Sequence, residues 1–94
     1  MLDRMIRLLV LGKILLEEIC GTQPFELADI AMWGATCKKL TPQQRDQVLE
    51  VAQTLMREDL VEVSSGTLRL TLAGRVEYMK RFRQYNEACF VSGK

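Results

Sequence analysis

The chain has 94 residues, thirteen basic against twelve acidic for a formal charge of +1, no histidine and three cysteines. That length supports one domain with a single modest core and argues against a cofactor-sized cavity, and the near-neutral charge provides no global pull toward nucleic acid or membrane. Without imidazole no conventional base exists for a Ser or Cys nucleophile, and Cys20, Cys37 and Cys89 form no C-x-x-C pair, so composition points away from an enzyme, a metal site and a disulfide scaffold.

Leu2 to Cys20 reads as a first helix ended by Gly21. Met5, Leu8, Leu9, Leu15, Leu16 and Ile19 recur at helical spacing and form the expected core stripe. Ile6, Val10 and Ile14, with Leu11 beside them, form a second ridge on roughly the opposite side. A helix apolar on two sides needs two coverings, and pairing of identical ridges in a homodimer is the economical one, which assigns Ile6, Val10, Leu11 and Ile14 to a dimer interface. The run Leu8 to Leu16 is interrupted by Lys13, followed by Glu17 and Glu18, and too short to span a bilayer. A soluble cytoplasmic protein without membrane association is therefore expected. Glu17 and Glu18 diverge by about 100° on a helix, which is not the arrangement of a convergent acid/base pair.

Gln23-Pro-Phe-Glu26 starts a second helix, with Pro24 at the first helical position and Glu26 in the first turn, where the helix dipole favours a carboxylate. Leu27, Ile30 and Ala31 make its inner face, and Trp33-Gly34 predicts its end, leaving Ala35 to Leu40 as a connector unless the helix continues through Lys38. Trp33 either anchors a partner or plugs the edge of the core. Thr41-Pro-Gln-Gln44 is a capping box with Pro at the first helical position, a specific start signal for a third helix that ends near Asp59. Its inner side carries Val48, Leu49, Val51, Ala52, Leu55, Met56 and Leu60, its outer side Gln43, Asp46, Gln47, Glu50, Gln53, Thr54 and Arg57.

Val61 and Val63, then Leu68, Leu70 and Leu72, alternate with polar residues around Ser65-Gly66, the pattern of a β-hairpin buried on one face. A lone ribbon is marginal in water, so that face must lie on helices. Thr71 is the expected N-cap of a last helix running to about Asn86, with Leu72, Val76, Met79 and Phe82 as its apolar face and Tyr78 and Tyr85 at the margin. Residues 87–94 form a tail that is frayed or docked on a partner. No Gly-rich phosphate loop is present, and no cofactor is expected.

The fold class that follows is mainly α with a small β-hairpin, in one domain over residues 1–94. Glu26-Leu-Ala28, the capped helix with its Leu49 to Leu55 stripe, Asp59-Leu-Val61 entering the hairpin and Leu70-Thr-Leu-Ala-Gly-Arg75 together resemble the winged helix-turn-helix superfamily of prokaryotic transcriptional regulators. The resemblance covers about residues 5 to 83. It implies three helices, a two-stranded wing and a C-terminal helix, with the third helix in the major groove of double-stranded DNA and the wing on the flanking backbone. Carried over, Gln43, Gln44, Gln47 and Thr54 would contact bases and Arg45, Arg57 and Arg69 would contact phosphates. The function so implied is that of a dimeric DNA-binding transcriptional regulator. Asp46 and Glu50 stand in the middle of that reading face, where nearby phosphates make carboxylates costly. Together with the neutral charge and the surplus apolar surface, they keep open a second reading, a winged-helix protein-interaction module that serves as an adaptor or subunit of a larger assembly and does not bind DNA. From Arg69 to the end six basic residues stand against two acidic ones, so any attraction to nucleic acid would be local to the wing and last helix.

Overall fold

The structure is a computed structural model that describes the backbone of residues 2–38 and 40–92 and the side chains of residues 4–38 and 40–83. Its elements follow in the order α1 (Leu2–Cys20), α2 (Leu27–Thr36), α3 (Pro42–Arg57), β1 (Val61–Ser64), β2 (Thr67–Leu70) and α4 (Leu72–Ser92). The chain is mainly helical, with one two-stranded antiparallel hairpin in which Val61 pairs with Leu70 and Val63 with Leu68.

Local signals account for most of the boundaries. Thr41 caps α3 reciprocally: its Oγ1 accepts from the Gln44 N–H at 3.2 Å while its own N–H donates to Gln44 Oε1 at 2.9 Å. At the other end the Leu60 N–H donates to Leu55 O and the Asp59 N–H to Met56 O, with Asp59 in the left-handed region at φ 61°. That is a Schellman termination with aspartate where glycine is usual. Ser65 and Gly66 both take positive φ, 53° and 80°, the geometry of a tight hairpin turn matched to strand twist. Thr71 starts α4 by accepting from the Gly74 N–H at 3.0 Å and donating to Asp59 O at 2.6 Å.

Three boundaries differ from expectation. α2 begins at Leu27, so Pro24 and Phe25 belong to an extended lead-in, and the Phe25 carbonyl accepts from the Leu68 N–H at 2.8 Å. α2 also passes Trp33-Gly34 and ends at Thr36. Gly34 is a crossing point rather than a stop: a Cβ there would lie 2.6 Å from Val48 Cβ, so the missing side chain lets α2 and α3 approach closely. α4 continues past Asn86 to Ser92. The side chains of Tyr85, Cys89 and Phe90, and residues 93–94 of the expected tail, lie outside the described residues.

The largest correction concerns α1. Ile6, Val10, Leu11 and Ile14, assigned above to a dimer interface, are each 0% exposed and form the centre of the core with Ile30, Val48, Ala52, Leu55, Leu68 and Leu70. The side expected to be the core is the outer one: Met5, Leu16 and Ile19 are exposed. The reason lies in the charged residues. Arg7, Lys13, Glu17 and Glu18 flank the ridge of Ile6, Val10 and Ile14, and each reaches a counter-charge along its margin. Arg7 binds Glu58 beyond the end of α3 with two hydrogen bonds, 2.7 and 3.3 Å, and Lys13 pairs with Glu17 at 3.3 Å. Glu18, nearly buried, accepts from the Leu70 N–H at 3.3 Å and pairs with Arg69 and Arg75. The charged side of α1 is thus its inward side, fastened to the end of α3, to β2 and to α4. Its uncharged side faces out.

Candidate functional site

Two surfaces compete for a functional role, and the first is the outer face of α3. Gln43 and Gln47 are exposed there, as are Asp46, Glu50, Gln53 and Arg57. Gln44 is not among them. Its carboxamide closes the capping box and the residue is 6% exposed, so it is not placed to reach the base edges expected of it. Thr54 is half-buried; its hydroxyl donates to Glu50 O at 2.9 Å and accepts from Arg57 Nη2 at 3.1 Å. Arg45 is turned back toward α2, with Nε donating to Cys37 O at 2.9 Å. Arg69 is half-exposed on β2 and lies 3.7 Å from Glu18. The arginines expected to anchor phosphates therefore all have internal acceptors, although Arg57 and Arg69 remain accessible.

The electrostatic setting of this face is mixed. A cleft of about 230 Å³ beside α3 is lined by Arg7, Gln47, Glu50, Val51 and Thr54, which puts both signs of charge at its mouth. The hairpin turn sits near carboxylates: a Cβ on Gly66 would lie 3.6 Å from Glu26 Oε1, and a second cleft joins Ser64, Ser65 and Arg69 to Glu17 and Glu18. At the start of α2 the Glu26 N–H donates to Asp29 Oδ2 at 2.9 Å, adding another acidic group. The Arg7 guanidinium hydrogen-bonded to Glu58 holds that carboxyl below its ordinary range against a smaller opposing effect of desolvation.

The second surface is the outer face of α1 where α4 and α2 border it. An open groove of about 820 Å³ is lined by Met5, Leu8, Leu9, Gly12, Leu15, Leu16 and Ile19 of α1, Trp33 of α2, and Tyr78 and Phe82 of α4. Lys13 is the one charged lining residue. It pairs with Glu17 and lies 5.6 Å from the centre of the Phe25 ring, so its charge is already engaged. Tyr78 and Phe82 stack with centroids 5.7 Å apart. The Tyr78 ring lies over Gly12, where a Cβ would come within 3.1 Å of it. Beside Phe82, the next ridge of α4 exposes Leu72, Val76 and Met79, all expected to face inward.

Sequence reasoning found the residues of this surface but set them on the wrong side. The usable signal was the absence of charge. Met5, Leu9, Gly12, Leu16 and Ile19 follow one another at steps of four and three with no ionisable residue among them, while Arg7, Glu17 and Glu18 lie on the other side and Lys13 at the border. Among the described residues no cluster of three His, Cys, Asp or Glu side chains is placed to hold a metal ion, and no helix is long and apolar enough to cross a membrane. No family model, curated protein or solved structure matches the chain.

Proposed function

We propose that this chain is a winged-helix protein-interaction module, a subunit or adaptor whose working surface is the apolar face of α1 and α4. The element order supports the winged-helix reading, as does the hydrogen bond from the Leu68 N–H to the Phe25 carbonyl, which ties the lead-in of α2 to β2. One observation carries the functional part: a groove of about 820 Å³, lined by apolar side chains and Lys13, lies on the outside of the core, with Leu9, Leu15, Trp33 and Tyr78 packed against the core beneath it and Met5, Leu16, Ile19 and Phe82 exposed. An apolar groove bordered by exposed large hydrophobic side chains is the kind of surface that marks an interaction site. The face of α3, by contrast, mixes Asp46 and Glu50 with its glutamines, and the cationic groups near it are tied to internal acceptors. Free Cys20 and Cys37 suit a reducing cytoplasm.

The test sets binding to protein against binding to DNA. Affinity co-purification from the native host should return a protein partner that is lost when Leu16→Asp is introduced into the groove. Titration of random and genomic duplexes at low salt should show no binding tighter than about 10⁻⁴ M, the weak end of ordinary nonspecific affinity. Tighter binding with a steep negative salt dependence, indifferent to Leu16→Asp, overturns this reading in favour of the second one.

That second reading is a dimeric DNA-binding transcriptional regulator. It is favoured by the exposure of Gln43, Gln47 and Gln53 along α3, since glutamine can pair bidentately with adenine. In that case Gln47→Ala changes preference among sequences, whereas Arg57→Ala and Arg69→Ala weaken binding to all of them alike.

A further inference from the structure

We infer that the occupant of the α1–α4 face is a second copy of this chain, packed about a two-fold axis. This rests on the reading of that face as the working surface and names its partner. Three observations point to self-association. The first is periodicity. Met5, Leu9, Gly12, Leu16 and Ile19 keep steps of four and three over two heptads, and Leu72, Val76 and Met79 repeat the same steps on the neighbouring helix. A repeat of 3.5 residues is the seam that another helix of the same kind can follow, and a two-fold axis makes one seam its own complement.

The second observation is area. Leu16 is 53% exposed, Ile19 68%, Leu72 79%, and Val76 and Met79 60% each. With Met5 and Phe82 these side chains present on the order of 800 Å² of surface over two ridges, the groove itself and the adjoining Leu72, Val76 and Met79 ridge of α4, and only a partner that covers both reaches what each side contributes to a stable interface of standard size.

The third is charge. Two copies brought together on a charged face place like charges against each other, and the α1 side of this face keeps that penalty low: Lys13, the one charged residue lining the groove, is neutralised by Glu17. On α4, Arg81 is neutralised by Glu77, while Lys80 and Arg83 stay exposed one turn beyond Val76 and Met79. The stacked Tyr78 and Phe82, seated against Gly12, also fix the border of the groove before a partner arrives, which lowers the ordering cost of association.

Sedimentation equilibrium on the purified chain tests the inference directly. A dimer is expected at micromolar concentration. Leu16→Asp and Val76→Asp lie on different helices at positions more than half exposed in the single chain, and each should weaken association by about 100-fold or more by placing a carboxylate in an apolar contact. Helical circular dichroism of each variant should stay native. Dilution of the wild type gives a readout that needs no variant: Trp33, the single tryptophan, borders the groove, and its emission should shift to longer wavelength as the dimer dissociates. A wild type that stays monomeric at the highest concentrations reached overturns the inference. If such a monomer still captures a different protein through Leu16, the second copy is wrong while the interaction module stands. Dimers that persist in folded Leu16→Asp and Val76→Asp, or Trp33 emission unchanged across dissociation, place the contact elsewhere.

Discussion

Replacing Gly34 by alanine sets two effects of known sign against each other. Gly34 lies inside α2, where alanine is favoured over glycine by about 1 kcal/mol through backbone entropy. Against that gain, the added Cβ would meet Val48 Cβ at 2.6 Å and its two methyl carbons at 2.7 and 2.8 Å. Val48 is 0% exposed and surrounded by the rest of the core, so it cannot simply rotate away. The helices must part by about 1 Å to restore ordinary contact, and overpacking of this kind costs roughly 1–3 kcal/mol. The net expectation is a loss of about 1 kcal/mol, or about 4–8 °C in Tm for a domain of this size. A double-mutant cycle isolates the cause. Val48→Ala alone should cost about 2 kcal/mol through lost burial and a cavity, while the Gly34→Ala/Val48→Ala pair should be less unstable than the sum of the single changes by about 1 kcal/mol or more. Urea unfolding followed by circular dichroism at one fixed protein concentration is the assay, because subunit association would otherwise contribute to the apparent stability. A stabilised Gly34→Ala variant, or singles that add without coupling, would refute the close approach of α2 and α3 at this point.

Gln44→Ala should lower stability by about 1 kcal/mol through loss of the reciprocal cap, and should leave any binding by α3 unchanged apart from that loss, as calorimetry and binding titrations can establish. Asp59→Gly should raise stability by about 0.5–1 kcal/mol, because glycine takes the left-handed conformation at φ 61° freely and the Thr71 bond to the Asp59 carbonyl is kept; a lower urea midpoint contradicts this. Glu58 is held below its ordinary pKa of 4.5, so its bond to Arg7 contributes fully above that value and is lost as pH falls through the depressed one. Arg7→Met should therefore cost about 0.2–1 kcal/mol at neutral pH, the range of exposed pairs, with the difference from wild type shrinking toward zero in acid; a difference that is constant with pH rules the ion pair out as its source.

The two surfaces also divide the charges of the chain in a way that bears on its partners. A formal charge of +1 is compatible with a strongly polarised molecule, one basic face balanced by an acidic one. Here the charges are instead consumed locally: Arg7 with Glu58, Lys13 with Glu17, Arg69 and Arg75 with Glu18, Arg81 with Glu77. Each pair ties one element to another or braces a single helix. Arg4, Lys38, Arg57, Lys80 and Arg83 stay exposed outside these pairs.

Interactions that close within a few residues were readable from the amino-acid order. Thr41-Pro-Gln-Gln44 could cap nothing but the helix that follows it, Ser65-Gly66 between alternating valines and leucines could only be a tight turn, and Thr71 could cap only α4. Their partners lie three or four positions away, so no tertiary information was needed to infer them. The orientation of α1 was of another kind. Its two apolar sides satisfy helical periodicity equally well, and the choice between them depends on Glu58, Arg69 and Arg75, all more than forty positions from the charges they neutralise. Gly34 reads locally as a helix stop and becomes a crossing point only because Val48 arrives opposite it. Gln44 reads equally as a surface residue and as a cap until the path of α3 buries it. Periodicity determines that a helix has an apolar side, but which side meets the core is decided by the elements that supply counter-charges and contact surface, and those are assembled only by the fold.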